Sequence, residues 1–244
     1  MSGILNVASY RFVAIDDGPA LRDRLHASAA ALDLKGTVLL APEGINLVLA
    51  GPVETLQAWL DGLQQDRRFA ALEIKRSFSA APPFRRLRVK LKREIIRMNL
   101  HGIRPADQRA PAVTAKTLAG WLAQGHDDEG RPLRMLDTRN GFEVDAGAFD
   151  GAIDWRLHKF SDFPDALAQH RDELQDCTVV SYCTGGIRCE KAALLMREQG
   201  LDKVWQLDGG ILKYFEETDG QAPGWRGRCF VFDDRVALDS RLEF

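Results

Sequence analysis

The chain has 244 residues, 45% of them hydrophobic and 28% charged, with four cysteines and a formal net charge of −2. That length allows one large or two small domains with real cores, and the composition excludes a disordered chain. No apolar run approaches the roughly 20 residues of a membrane span, and the N-terminus lacks the basic-then-apolar pattern of a secretory signal, so a cytoplasmic protein with no membrane partner is expected.

The small net charge hides an asymmetry. Residues 1–110 hold 17 Lys and Arg against 11 Asp and Glu, a balance of +6, and the remainder carries −8. A basic front half points to a polyanionic partner. Cys177, Cys183, Cys189 and Cys229 contain no C-x-x-C pair, which speaks against a zinc site or a thioredoxin-like dithiol. In a reducing compartment they read as one reactive thiol with bystanders.

Residues 10–15 read as a first strand, ended by Asp16-Asp17-Gly18-Pro19. Leu21, Leu25, Ala29 and Leu32 then recur at helical spacing. Residues 36–41 read as a second strand, Pro42-Glu43-Gly44-Ile45-Asn46 as a turn and residues 47–50 as a third strand. A helix with Leu56, Trp59, Leu60 and Leu63 on one face follows Gly51-Pro52, and residues 72–78 form a fourth strand. The order β-α-β-β-α-β is that of a ferredoxin-like split βαβ domain. Glu43 and Asn46 read equally as turn chemistry or as functional groups.

In residues 86–92 apolar and basic side chains alternate with period two. A strand here buries Leu87, Val89 and Leu91 and presents Arg86, Arg88, Lys90 and Lys92 on the other face. Flanked by Arg85, Arg93 and Arg97, those four cations make a ribbon suited to a phosphate backbone. A solvated strand face, or an edge guarded by charge, is the plain alternative. Nearby aromatic rings for stacking are sparse, with Phe78 and Phe84 the candidates.

Gly102, Pro105 and Pro111 mark residues 99–113 as a linker between a domain of residues 1–98 and one of residues 114–220, with a tail over 221–244. Thr114 caps a helix carrying Leu118, Trp121 and Leu122. Residues 133–136, 151–154, 177–182 and 204–207 read as strands that alternate with helices, one of them through Leu167 and Leu174 and one over residues 211–217. This alternation implies an α/β domain with a parallel sheet flanked by helices. Sites in such sheets lie off the carboxyl ends of the strands, where Asp137, Arg139, Cys183 and Asp208-Gly209-Gly210 fall as a rim.

Cys183 ends an apolar strand and is followed by Thr184-Gly185-Gly186-Ile187-Arg188-Cys189 and a helix over residues 190–199, closed by Gly200. Loop N–H groups, the first turn of that helix and Arg188 favour a thiolate at Cys183, and Gly185 and Gly186 permit the φ > 0 backbone that a cradle needs. Cys189 reads as a resolving thiol or as a packed helix-start residue. No histidine pair has metal-ligand spacing, and no G-x-G-x-x-G marks a flavin or nicotinamide site, so neither metal nor flavin is expected.

Asp137-Thr138-Arg139 with Glu143, the Tyr182-Cys183 loop with Arg188, and Leu207-Asp208-Gly209-Gly210 together resemble a rhodanese domain. With the turn EGIN, the stretch FRRLRVKLKREI, the loop CTGGIRCEKA and the tail CFVFDDRVALD, the sequence resembles the bacterial rhodanese-domain tRNA uridine(34) hydroxylases from Tyr10 to Asp239. Some of that family continue into a cysteine-rich segment, which this sequence does not carry after Phe244. The resemblance implies oxygen-dependent 5-hydroxylation of the wobble uridine, with molecular oxygen as co-substrate and the tRNA anticodon arm, not DNA, as partner. It also implies that Cys183 is the residue that carries a persulfide in rhodaneses. Persulfide sulfurtransfer, or RNA binding with an inert rhodanese half, are the alternatives. A phosphatase wants Cys-x5-Arg, whereas here the spacing is Cys-x4-Arg.

Overall fold

A computed structural model describes residues 3–244. The chain forms two compact units. One holds the described residues up to Arg97 with 232–235 and 243–244; the other holds 98–231 and 236–242. Residues 221–244, expected as a tail, are thus divided between the two. Among the described residues, no helix is long and apolar enough to cross a membrane.

The first unit runs β1 (Ile4–Phe12), α1 (Gly18–Ala31), β2 (Lys35–Ala41), β3 (Gly44–Pro52), α2 (Val53–Gln64), β4 (Lys75–Ser79) and β5 (Leu87–Leu91). Its sheet order is β4-β1-β3-β2-β5. The first four strands are antiparallel neighbours, the ferredoxin-like arrangement, and β5 adds in parallel to β2. Leu21, Leu25 and Ala29 of α1 and Leu56, Trp59, Leu60 and Leu63 of α2 close over Val38, Leu40, Leu47 and Leu49. Leu32 falls beyond the end of α1 and is 40% exposed. β1 begins six residues before the predicted start. The buried polar residues Asn6 and Ser9 break the apolar alternation there, and each donates across the sheet edge: Asn6 Nδ2 to Ser79 Oγ (2.9 Å) and Ser9 Oγ to the Glu73 carbonyl (2.6 Å).

The second unit contains β6 (Ala112–Val113), α3 (Ala115–Gln124), β7 (Leu133–Asp137), α4 (Gly141–Val144), β8 (Gly147–Phe149), β9 (Ile153–Asp154), α5 (Phe163–His170), β10 (Thr178–Tyr182), α6 (Ile187–Glu198), β11 (Val204–Leu207), α7 (Gly210–Glu217), β12 (Trp225–Gly227), β13 (Cys229–Phe230) and β14 (Ala237–Leu238). A parallel sheet of order β6-β11-β10-β7-β9 is its spine. The stretch expected as a linker ends in its edge strand β6, and Ile103, Ala110 and Val113 are buried. Thr114 caps α3 as predicted, its hydroxyl accepting from Thr117 N (3.2 Å). The core on one side is aromatic. Phe149 meets Tyr182, Tyr214 and Trp225 edge-on, with ring centres about 5 Å apart.

Candidate active site

Central strand β10 delivers Cys183 to the carboxyl end of the parallel sheet, and α6 starts only four residues later. One glycine makes this turn possible. Gly186 takes φ +96°, from which its N–H donates to Cys183 Sγ at 3.1 Å. Gly185, expected to share that role, is not in the left-handed region. The turn is held from the neighbouring strand end. There, the first N–H groups of α7 reach the loop, Ile211 N donating to the Cys183 carbonyl (3.0 Å) and Leu212 N to that of Thr184 (3.1 Å). Approach is so close that a Cβ on Gly210, itself at φ +70°, would lie 2.5 Å from the Cys183 carbonyl oxygen.

Charge around the sulfur is buried and paired. Arg188 lays both terminal nitrogens on Glu143, at 2.7 and 2.8 Å, with the carboxylate side chain 0% exposed. Glu143 also accepts from Asn140 N (3.1 Å), which fixes it at the start of α4. Below it, Arg139 and Asp137 form a second pair at 2.6–3.2 Å, and Arg139 further donates to the carbonyls of Glu143 and Gly147. Asp137 and Arg139 were predicted on the rim. Both are instead wholly buried, as a brace that positions the Glu143 backbone. Asp208 remains near the surface, taking Lys213 Nζ (2.6 Å) and Arg109 Nη2 (2.9 Å). Burial disfavours its carboxylate, but those two cations hold its pKa below the usual range.

The same competition decides the state of Cys183. Complete burial pushes its thiol up. A hydrogen bond from Cys189, the Arg188 charge and the N–H groups of Arg188 and Gly186 overcome that and bring it down to about 6. Cys189 moves the other way. Burial and donation to Cys183 raise its pKa, so it stays a thiol and donates a hydrogen bond to its neighbour. Cys177 and Cys229 are buried and shifted upward, Cys229 to about 12, which makes both inert. Thr184, Gly185 and Ile187 are the partly exposed members of the loop, whereas Cys183, Gly186, Arg188 and Cys189 are buried. Among the described residues no three His, Cys, Asp or Glu side chains gather as a metal-ligand set.

Two family descriptions match the chain: the UPF0176 acylphosphatase like domain over residues 4–95 and the rhodanese-like domain over residues 118–217. Curated relatives extend the match to nearly the whole length. A tRNA uridine(34) hydroxylase of Variovorax paradoxus is 63% identical over 98% of this chain and 90% of its own. Those of Bordetella petrii and Bordetella avium are each 60% identical, covering 99% and 98% of this chain and 95% and 98% of theirs. The chain belongs to the tRNA uridine(34) hydroxylase family.

In this family member the basic ribbon lies on the first unit. Register places Leu87, Val89 and Leu91 beside Gly36, Val38 and Leu40 on the helix-covered face, and Arg88 and Lys90 beside Thr37 and Leu39 on the other. Leu87 and Val89 pack on the core, but Leu91, predicted as buried, is 42% exposed at the strand's end. Arg86, Arg88, Lys90 and Lys92 are all exposed. Row by row, Lys90 aligns with Leu39, Asn46 and Tyr10, so the ring on its face is Tyr10, with Phe12 two residues on. The expected stacking candidate Phe78 pairs with Leu5 and lies on the opposite face. Period-two counting along the strand read from residue 10 sets Tyr10 and Phe12 on one face; only the register across β3 and β2 shows that Lys90 shares it. Glu43 and Asn46 clamp the segment after β5, Glu43 accepting from Ile95 N (2.7 Å) and Asn46 Nδ2 donating to the Ile95 carbonyl (3.3 Å).

The sequence reading also passed over Phe142 and Phe230. Phe142, the residue before Glu143, is 49% exposed, and its ring stands edge-on to Phe230 with centres 5.1 Å apart. The Phe230 carbonyl accepts from Thr184 Oγ1 at 3.4 Å. Only an aromatic residue directly before a buried glutamate hinted at this arrangement.

Proposed function

We propose that this chain hydroxylates C5 of the wobble uridine, position 34, in the anticodon arm of tRNA in the cytoplasm, with molecular oxygen as co-substrate. The observation that carries this reading is an intact thiolate cradle at Cys183 in a chain more than half identical, end to end, to relatives named for that reaction. The Cys183 thiolate adds to C6 of the uracil ring, and the electron pair displaced from the C5–C6 double bond makes C5 nucleophilic. One oxygen atom of O2 bonds to C5; the other leaves as water, taking two electrons and two protons from an external reductant. Loss of the C5 proton expels the thiolate and restores the double bond. Arg188 and the N–H groups of the loop stabilise the sulfur anion before addition and after expulsion. No metal or flavin enters the proposal. The cations Arg86, Arg88, Lys90 and Lys92 take phosphates of the RNA, setting its register while a separate pocket reads the base; duplex DNA, which has no unstacked uridine, is not a partner.

The test is nucleoside mass spectrometry of tRNA from cells lacking the protein, complemented with wild type or with Cys183→Ser. Restoration of 5-hydroxyuridine by wild type alone supports the reading; restoration by the serine variant removes Cys183 from the chemistry. A second reading, persulfide sulfurtransfer, is favoured by the same cradle, which would hold an S–S⁻ group as well as a thiolate. Thiosulfate-dependent turnover with no RNA requirement would support it. Phosphatase chemistry is disfavoured because the Arg188 fork is spent on Glu143 and so is not free for phosphate oxygens.

A further inference from the structure

The proposed reaction leaves one buried nucleophile beside the site unused. Cys189 stands in the first turn of α6, where its N–H donates to the Gly186 carbonyl (3.0 Å), and its side chain is wholly buried. Its sulfur lies between two groups. One is Thr138 Oγ1, 3.7 Å away and itself held by donation to the Tyr182 carbonyl (2.9 Å). The other is the Cys183 sulfur, to which Cys189 donates while the Gly186 N–H holds that sulfur at 3.1 Å. Two thiols therefore stand side by side in one turn of chain. Cys177, at the opposite end of β10, donates to the Leu174 carbonyl (3.3 Å) and has no such neighbour.

We propose that Cys189 is the immediate two-electron donor of the hydroxylation, ending each turnover in a disulfide with Cys183. This rests on the functional reading above and deepens it: that reaction draws two electrons and two protons from a reductant, and the pair is where they enter. With Cys183 bonded to C6, the C5 electron pair bonds to O2, and the outer oxygen takes a proton from solvent to give a C5 hydroperoxide. The Cys189 sulfur attacks that outer oxygen. An S–O bond forms as the O–O bond breaks, and the oxygen left on C5 takes the Cys189 thiol proton. Loss of the C5 proton then restores the C5–C6 double bond and expels Cys183 as thiolate. That thiolate attacks the Cys189 sulfenic acid, forming the S–S bond and releasing hydroxide, which takes a proton to become water. One uridine, one O2 and two thiols thus give one 5-hydroxyuridine, one disulfide and one water. A dithiol reductant from solvent reduces the disulfide and resets the pair. Position favours Cys189 over a reductant that acts directly. Both sulfurs are wholly buried, so a donor from solvent has to reach the peroxide past the base, whereas Cys189 already touches the sulfur that holds the base.

Single turnover tests this with the full-length protein, reduced with dithiothreitol, stripped of it, and given a tRNA anticodon stem–loop in air. Wild type should form up to one 5-hydroxyuridine per chain and then stop, since one dithiol carries two electrons. Peptide mass spectrometry should then find Cys183 joined to Cys189, and fresh dithiothreitol should restart turnover. Cys189→Ser should lose this burst. Its melting temperature, and alkylation of Cys183 at a pH well above that thiol's titration, should stay unchanged, which separates loss of the electron donor from loss of the cradle. Product that forms only while dithiothreitol is present, product without the Cys183–Cys189 disulfide, or an undiminished burst from Cys189→Ser overturns the proposal and leaves the hydroxylase reading standing. No 5-hydroxyuridine with or without dithiothreitol takes down that reading and the proposal together.

Discussion

The strip of cations on β5 and the loop around Cys183 use charge in opposite ways. On and beside β5, Arg86, Arg88, Lys90 and Lys92 reach into solvent and make no ion pair among the described residues. Around Cys183 the arginines are buried, and each is answered by a carboxylate, Arg188 by Glu143 and Arg139 by Asp137. Exposed charges are screened by salt and act nearly independently, so each contributes a small separate amount to binding a polyanion. Buried pairs are unscreened and interdependent, because removing one partner leaves the other unsolvated. Charge of the first kind suits contact with a polyanion, and charge of the second kind suits holding one sulfur atom in one state.

The sharpest way to break the second region is to remove Glu143. Glu143→Gln keeps the shape but leaves Arg188 without its counter-charge, and the expected loss is about 3–5 kcal/mol of stability, read by denaturant unfolding. A loss below about 1 kcal/mol would mean that Arg188 finds solvent or another partner and that the pair is not the anchor described here. Gly210→Ala should follow closely. Its Cβ would collide with the Cys183 carbonyl in a backbone conformation already unfavourable for alanine, so the loop must shift. Hydroxylation should fall at least tenfold with a smaller drop in melting temperature, since a displaced cradle disables the thiolate before it unfolds the sheet.

A gentler probe keeps the fold and reads the sulfur directly. With the Cys183 thiol brought down to about 6 from the ordinary 9.0, the group is a thiolate above that pH and is protonated as pH falls through it. The rate of alkylation by a small reagent should therefore rise with a midpoint near pH 6 and level off above pH 7. Cys189→Ala removes the donor, and the midpoint should move up by about one pH unit or more. An unmoved midpoint would place the stabilisation in Arg188 and the backbone alone.

Much of this contrast was legible in the sequence, for physical reasons that can be named. Alternation along residues 86–92 placed Arg88 and Lys90 on one face correctly because that strand has a core on its other side only. The strand, glycine loop and helix at Cys183 were legible because a reversal that tight tolerates few sequences. What escaped were features made by distant residues. Asp137 and Arg139 sit at a strand end yet are buried, because α4 and β8 fold over them and nothing local signals that cover. Phe142 and Phe230, 88 positions apart, meet only in three dimensions.

The smallest expected effect tests the first region on its own terms. Arg88→Ala and Lys90→Ala should each weaken tRNA binding a few-fold at moderate salt, and each should reduce the slope of log affinity against log salt by about one. Neither should change melting temperature, since both side chains are exposed and unpaired. Because exposed charges act independently, the double variant should lose close to the sum of the two effects. Phe78→Ala, on the opposite face of the same sheet, is the control and should leave binding untouched. Equal losses from Phe78 and Lys90 would show that the RNA does not distinguish the two faces, and the basic strip would then be only a solvated edge.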